Sequence, residues 1–196
     1  MILRVCGCGN DPMKRSALHS VHRNAGATFG EYSGWELPAY FVSPEQEAAR
    51  IRASVGLSDL SYISKFDLRS KPEQKSWCLA PKHYLVLNEG QNPSPVESID
   101  VSSVYAAFRL VGPNGRDVLT KLSSLNVGAA ALPNFGCAQA GLAHIPAVIL
   151  REDIGPTLAF YLLITREYAE SAWKAILHAG REFGLCPCGL EGLHSL

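Results

Sequence analysis

No run of apolar residues in this chain approaches the roughly 18 that an ordinary membrane-spanning helix needs, so such a helix is excluded. Excess charge is missing too: 18 Lys and Arg stand against 18 Asp and Glu, for a formal net charge of zero. Without a basic surplus there is no electrostatic footprint for nucleic acid, and there is no acidic tail. The segment from Met1 to Asn10 holds one Arg and a short apolar patch, which is not the plan of a secretory signal. These absences predict a cytoplasmic protein that binds neither membrane nor nucleic acid. No internal repeat occurs either.

A metal-ligand pattern is also wanting. The chain has 6 cysteines, and four of them form two C-x-C pairs, Cys6 with Cys8 and Cys186 with Cys188. Structural zinc sites usually separate paired cysteines by about two to four residues. The reading is reduced thiols packed as small apolar groups, as in a cytosolic protein. His19 and His22 share one helix face at i, i+3, but no third ligand stands near them in sequence. No metal is expected.

What is present is an ordinary globular composition, 196 residues with 47% hydrophobic content. At that size a chain buries roughly 70% of the surface its unfolded form exposes, and needs no disulfide or metal staple. Residues 1 to 15 are expected to be a flexible arm, the first 12 of them poorly ordered because they lack periodicity. Residues 16 to 196 are expected to form one domain, with a finer division into 16–95 and 96–185.

The sharpest local signal is a helix start. Ser43 suits the N-cap, Pro44 the first helical position and Gln46 the capping-box partner. Ala48, Ala49, Ile51, Arg52 and Val55 supply a mostly apolar stripe, and Gly56 suits a left-handed helix end. Before it, a short helix over 16–24 should bury Leu18, Val21 and His22. After it, the alternation over 63–69 predicts a strand with Lys65, Asp67 and Arg69 on a wet face. Strands are expected at 77–79 and 84–88, a polar connection over 89–98, and a central strand over 99–110. A helix should run from about 115 to 122, then a loop to 137, strands over 138–144 and 147–151, and an apolar strand over 158–164. A last helix over 166–183 should be capped by Thr165 and stopped by Gly184. Its stripe is Tyr168, Ala172, Ala175, Ile176 and Ala179, with Trp173 at the edge. Irregular alternation with hairpin-length links predicts an α+β fold with largely antiparallel sheets and packed helices.

Ser16-Ala17-Leu18, Gly26-Ala27, Gly34-Trp35-Glu36-Leu37-Pro38, Ser43, Glu47, Arg52, Gly56-Leu57 and Asp59-Leu60-Ser61 resemble the start of the glycine-cleavage T-protein (aminomethyltransferase) family. From 76 onward, Ser76 to Leu87, Asp100-Val101-Ser102, Arg109-Leu110-Val111-Gly112-Pro113 and Arg166-Glu167-Tyr168-Ala169 are similar to the gamma subunit of heterotetrameric sarcosine oxidase. The resemblance implies the aminomethyltransferase folate-binding-domain fold, with the family's C-terminal barrel not represented in these residues. It also implies tetrahydrofolate as cofactor and a place in one-carbon metabolism.

The resemblance gives no catalytic residue here. The family's proton-handling acid follows a Leu-Asn-Glu segment within a Gly-Gly-x-x-Asp-Asp run. In this chain Leu87-Asn88-Glu89 leads into Gly90-Gln91-Asn92-Pro93-Ser94-Pro95. Loss of a positioned acid–base group typically costs about 10²–10⁴-fold in rate. The family's pterin-holding glutamate is replaced by Tyr161, a phenol that cannot form paired carboxylate bonds. Tyr40, Ile63, Asn88, Arg151 and Tyr161 are the residues the resemblance assigns to the folate pocket. Trp35, Asp59 and the Gly112-Pro113-Asn114-Gly115 turn read as packing, turn and capping residues. Three readings follow: a folate-binding or accessory protein like the gamma subunit, an active tetrahydrofolate-dependent aminomethyltransferase, or a binder of another small molecule. The implied partners are a folate derivative and either oxidase-type subunits or a lipoyl carrier protein.

Overall fold

The computed structural model describes residues 13–90 and 94–196. Most of the arm expected over 1–15 therefore lies outside the described residues, as do Cys6 and Cys8. Lys14–Arg15 form a short strand, β1. After it come α1 (His19–Asn24), β2 (Thr28–Tyr32), β3 (Trp35–Tyr40), α2 (Pro44–Ala53), β4 (Val55–Asp59) and β5 (Ser64–Leu68). The middle of the chain supplies β6 (Trp77–Ala80), β7 (His83–Asn88), β8 (Ser98–Asp100), β9 (Tyr105–Val111) and α3 (Gly115–Leu122). The remainder is β10 (Cys137–Leu142), β11 (Ile145–Arg151), β12 (Ala159–Thr165), α4 (Ala169–Gly180), β13 (Leu185–Pro187) and α5 (Leu190–His194).

The strands make a six-stranded sheet in the order β10-β11-β12-β9-β4-β13, a four-stranded sheet β6-β7-β5-β8 and a small sheet β1-β3-β2. All pairs are antiparallel except β13 with β4 and β1 with β3. The α+β, largely antiparallel expectation holds.

Side-chain parity divides the six-stranded sheet into two faces. Ala106, Phe108 and Leu110 of β9 and Phe160, Leu162 and Ile164 of β12 belong to one core, with Val118, Leu119, Trp173 and Ile176 from α3 and α4. Ala107 and Val111 of β9 and Ala159, Tyr161 and Leu163 of β12 belong to a second core. That core also takes Trp77 and Leu85 from the four-stranded sheet, and Leu190 and Leu193 from α5.

The α2 start forms as expected, with Ser43 accepting from the Gln46 amide at 3.3 Å. Its end differs. The helix stops at Ser54, and Gly56 is a buried residue inside β4. A Cβ there would stand 2.6 Å from Ile51 and 2.8 Å from the Cys188 sulfur, so the glycine serves close packing rather than a left-handed turn.

Other elements depart for equally local reasons. The strand expected over 99–110 is two strands in different sheets, since residues 102–104 turn between β8 and β9. Lys65 is fully buried rather than wet, although it alternates with Phe66 and Leu68. The final helix begins and ends with single 3₁₀ turns, and Thr165 makes no side-chain cap bond. Those turns rotate Tyr168 out to 45% exposure, while Trp173, expected at the edge, is buried. Gly184 ends the run in the left-handed region, at φ 72°. Among the described residues no helix is long and apolar enough to cross a membrane.

Candidate functional site

A cavity of about 790 Å³ lies where the second face of the large sheet meets the four-stranded sheet. Arg109 of β9 and Tyr161 of β12 come from the large sheet, Trp77, Leu87 and Asn88 from β6 and β7. The turn residues Leu60 and Tyr62, the segment 152–154 and Leu193 of α5 close it.

Register explains the centre of the wall. Tyr161 and Arg109 are directly opposed across the β9–β12 pair, so they project from the same face as neighbours. The Arg109 guanidinium carbon stands 3.6 Å from the centre of the Tyr161 ring, a cation–π contact. Trp77 meets the same ring edge-on, with centroids 6.1 Å apart. The Tyr161 hydroxyl donates to Glu89 Oε1 at 2.7 Å. Burial pushes the Tyr161 phenol well above its ordinary pKa; Arg109 opposes that shift and Glu89 adds to it. Tyr62, on the same wall, is raised to about 12, first by burial and then by Glu89 and Tyr32.

Arg109 is 3% exposed. Its Nη2 donates to the Glu152 carbonyl at 2.6 Å, and Nη1 is buried with no partner among the described residues. Desolvation lowers its pKa, against the opposing pull of Tyr161 and of Glu152 and Glu89. Glu152 Oε1 accepts from Lys75 Nζ at 2.6 Å, while Oε2 is buried without a partner among the described residues. Asp153 is held by Arg151 through two bonds, at 3.1 Å and 2.7 Å. Burial would raise the Asp153 pKa, but the Arg151 bonds and the Ala159 amide outweigh it and the net shift is downward.

Of the five residues expected in the pocket, Asn88 and Tyr161 stand on the cavity wall. Ile63 is fully buried in the same apolar cluster as Trp77, behind the wall. Arg151 faces Asp153 and donates to the Leu132 carbonyl at 2.9 Å. Tyr40 sits at the end of β3, opposite Thr28. The structure adds Arg109, Trp77, Glu89 and Glu152, which sequence reasoning did not place there. One signal was available: Arg109 is the lone charge in the otherwise apolar strand YAAFRLV.

A second buried polar group lies apart from the cavity. His22 Nε2 meets Asp59 Oδ2 at 3.1 Å, and Asp59 Oδ1 accepts from the Ser61 hydroxyl at 2.5 Å and its amide at 3.0 Å. Lys65 Nζ donates to the Ser61 carbonyl at 3.3 Å. His19 instead meets Glu36 at 2.9 Å, so the two histidines face different carboxylates. Among the described residues no cluster of three or more His, Cys, Asp or Glu is placed to hold a metal ion.

The pattern of the family described as the GCVT N-terminal domain matches residues 76–196. The chain belongs to that family. It is 24% identical to an aminomethyltransferase of Halothermothrix orenii, covering 94% of this chain and 64% of that protein. It is 26% identical to an aminomethyltransferase of Geobacillus kaustophilus, covering 94% and 63%. The chain thus spans somewhat less than two thirds of the length of the curated relatives it matches. Among solved structures, the glycine cleavage system aminomethyltransferase T from Bartonella henselae superposes with a TM-score of 0.74. That match has 19% identity and covers 94% of this chain and 62% of the other. A chain of the heterotetrameric sarcosine oxidase from Corynebacterium sp. U-96 superposes with a TM-score of 0.60 at 16% identity, covering 88% and 97%. The aminomethyltransferase-like fold expected from the motifs is therefore the fold of this family member.

Proposed function

We propose that this GCVT-family chain binds a reduced folate in the cavity between its two sheets, and acts as a binding or accessory protein of one-carbon metabolism rather than as a transferase. The cavity carries the reading. Its volume of about 790 Å³ falls within the usual range for small-ligand sites. Tyr62 and Leu87 line it with apolar surface for a pteridine ring, and Asn88, Glu89 and Glu152 offer polar edges.

The same wall argues against acid–base catalysis. Each cavity carboxylate already has a partner: Glu89 meets Tyr161, Glu152 meets Lys75 through Oε1, and Asp153 meets Arg151. A general acid needs a proton free to move to the ligand, and none of these three is poised that way. Tyr161 donates a hydrogen bond to Glu89, and burial holds its phenol well above the ordinary pKa, so it keeps its proton. Oxidase-type subunits are the protein partners in best keeping with the 97% coverage of a heterotetramer chain, and a lipoyl carrier is the alternative.

Tryptophan fluorescence suits the test, because Trp77 forms part of the wall. Titration with tetrahydrofolate should quench it saturably, with one-to-one stoichiometry by calorimetry. Tyr161→Phe, which removes the bond to Glu89, should weaken binding about threefold to tenfold. Absence of saturation at millimolar tetrahydrofolate overturns the folate reading.

A further inference from the structure

We infer that the Arg109 end of the cavity is a carboxylate subsite, and that the ligand it takes there is a small organic acid. This rests on the reading of the cavity as a ligand site, but not on folate as its occupant.

Arg109 has no carboxylate at ion-pair distance among the described residues, although Glu152, Glu89 and Asp153 act on it from farther off. Arg109 is a cation buried at the middle of a sheet, and burying a charge is costly unless it is paired. Its partners are a carbonyl oxygen and the face of a phenol ring, both neutral. No carboxylate of the described residues forms a salt bridge with it. The three nearby candidates are occupied by Tyr161, Lys75 and Arg151. One guanidinium nitrogen, Nη1, remains without a partner among the described residues.

A second donor without a partner belongs to another residue of the same wall. Trp77 is 2% exposed, and its indole N–H is likewise unpartnered among the described residues. Its ring packs against the same Tyr161 ring that carries Arg109. An indole N–H and a guanidinium N–H can only donate. Both therefore call for an acceptor, and the guanidinium calls for a negative one, which a carboxylate supplies with its two oxygens. The acceptor left over, Glu152 Oε2, gives the same ligand a place for an N–H group.

Benzoate and benzamide have the same shape and differ in charge, so they isolate the subsite. Calorimetric titration of the full chain at constant ionic strength should give saturable benzoate binding, with benzamide at least about tenfold weaker. Arg109→Gln should abolish that preference, and Arg109→Lys should retain most of it. If Arg109→Gln does not fold, the benzoate-to-benzamide ratio on the native protein decides alone. Equal binding of the two, or no benzoate saturation at millimolar concentration, overturns the subsite. Tetrahydrofolate binding without a benzoate preference leaves the folate reading standing and removes this one. Benzoate preference without folate binding does the reverse, and failure of both ligands removes both readings.

Discussion

Lys65 shows how much one side chain can hold against the fold. It is fully buried, and its pKa is lowered to about 8 by desolvation, against the pull of Asp59 and Asp100 and with the push of Arg166. An unfolded lysine titrates near 10.4. Below pH 8 the lysine is charged in both states, and the native state carries the full desolvation cost. Between about pH 8 and 10.4 the unfolded chain binds a proton that the native state has released, so stability rises with pH. Above that window the cost is gone. Lys65→Met should therefore stabilise the protein at pH 7 by on the order of 3 kcal/mol and remove this part of the rise. Urea unfolding of both proteins at pH 7 and pH 10 checks it, and parallel pH profiles would contradict it. The sequence placed Lys65 on a strand correctly. It could not show that both faces of that strand are covered, because alternation with Phe66 and Leu68 looks the same whether the second face meets water or protein.

At the scale of elements, Glu47 ties three segments together. From the first turn of α2 it accepts the amides of Phe41 at 2.5 Å, Val42 at 3.2 Å and Gly189 at 2.8 Å. Those amides belong to the exit of β3 and the N-cap of α5. Glu47→Ala leaves all three without an acceptor and should cost about 3 kcal/mol or more, read from the midpoint of chemical denaturation. A loss of less than about 1 kcal/mol would show that the tie is dispensable. Gly189→Ala attacks the same junction from the other side, since its methyl would enter the Ala39 carbonyl. The variant should lose the docking of α5, and with it Leu193 from the cavity wall. The contrast with Ser43 is instructive. The Ser43 cap was legible because donor and acceptor are three residues apart. The Glu47 tie spans 142 residues, and no local pattern encodes it. Gly56 misled for a related reason: a glycine needed for close approach to Ile51 and Cys188 has the same letter as one needed for a turn.

For the whole molecule, the cavity joins the two larger sheets, so its occupant should stabilise them together. Tetrahydrofolate at about a hundred times its Kd should add about 2.7 kcal/mol to unfolding. For a chain of this size that is a rise of roughly 5–10 °C in Tm, measurable by calorimetry. Hydrogen exchange should slow in β7 and β12 alike, and slowing in one alone would place the ligand elsewhere. The fold class was readable because hairpin-length links and alternating runs are local. The resemblance assigned Asn88 and Tyr161 to a folate pocket, and both stand on the cavity wall. Arg109 announced itself as a charge in an apolar strand, but its stacking on Tyr161 depends on the β9–β12 register, which only the folded sheet reveals. That register has a further consequence for how such a domain can change over time. Neighbouring residues of β9 and β12 answer to different demands: Phe108, Leu110, Phe160 and Leu162 anchor the helices behind the sheet, while Arg109 and Tyr161, one step along, meet whatever the cavity receives. Mutation at alternate positions of the same two strands can therefore exchange one guest for another while the architecture behind it stays untouched.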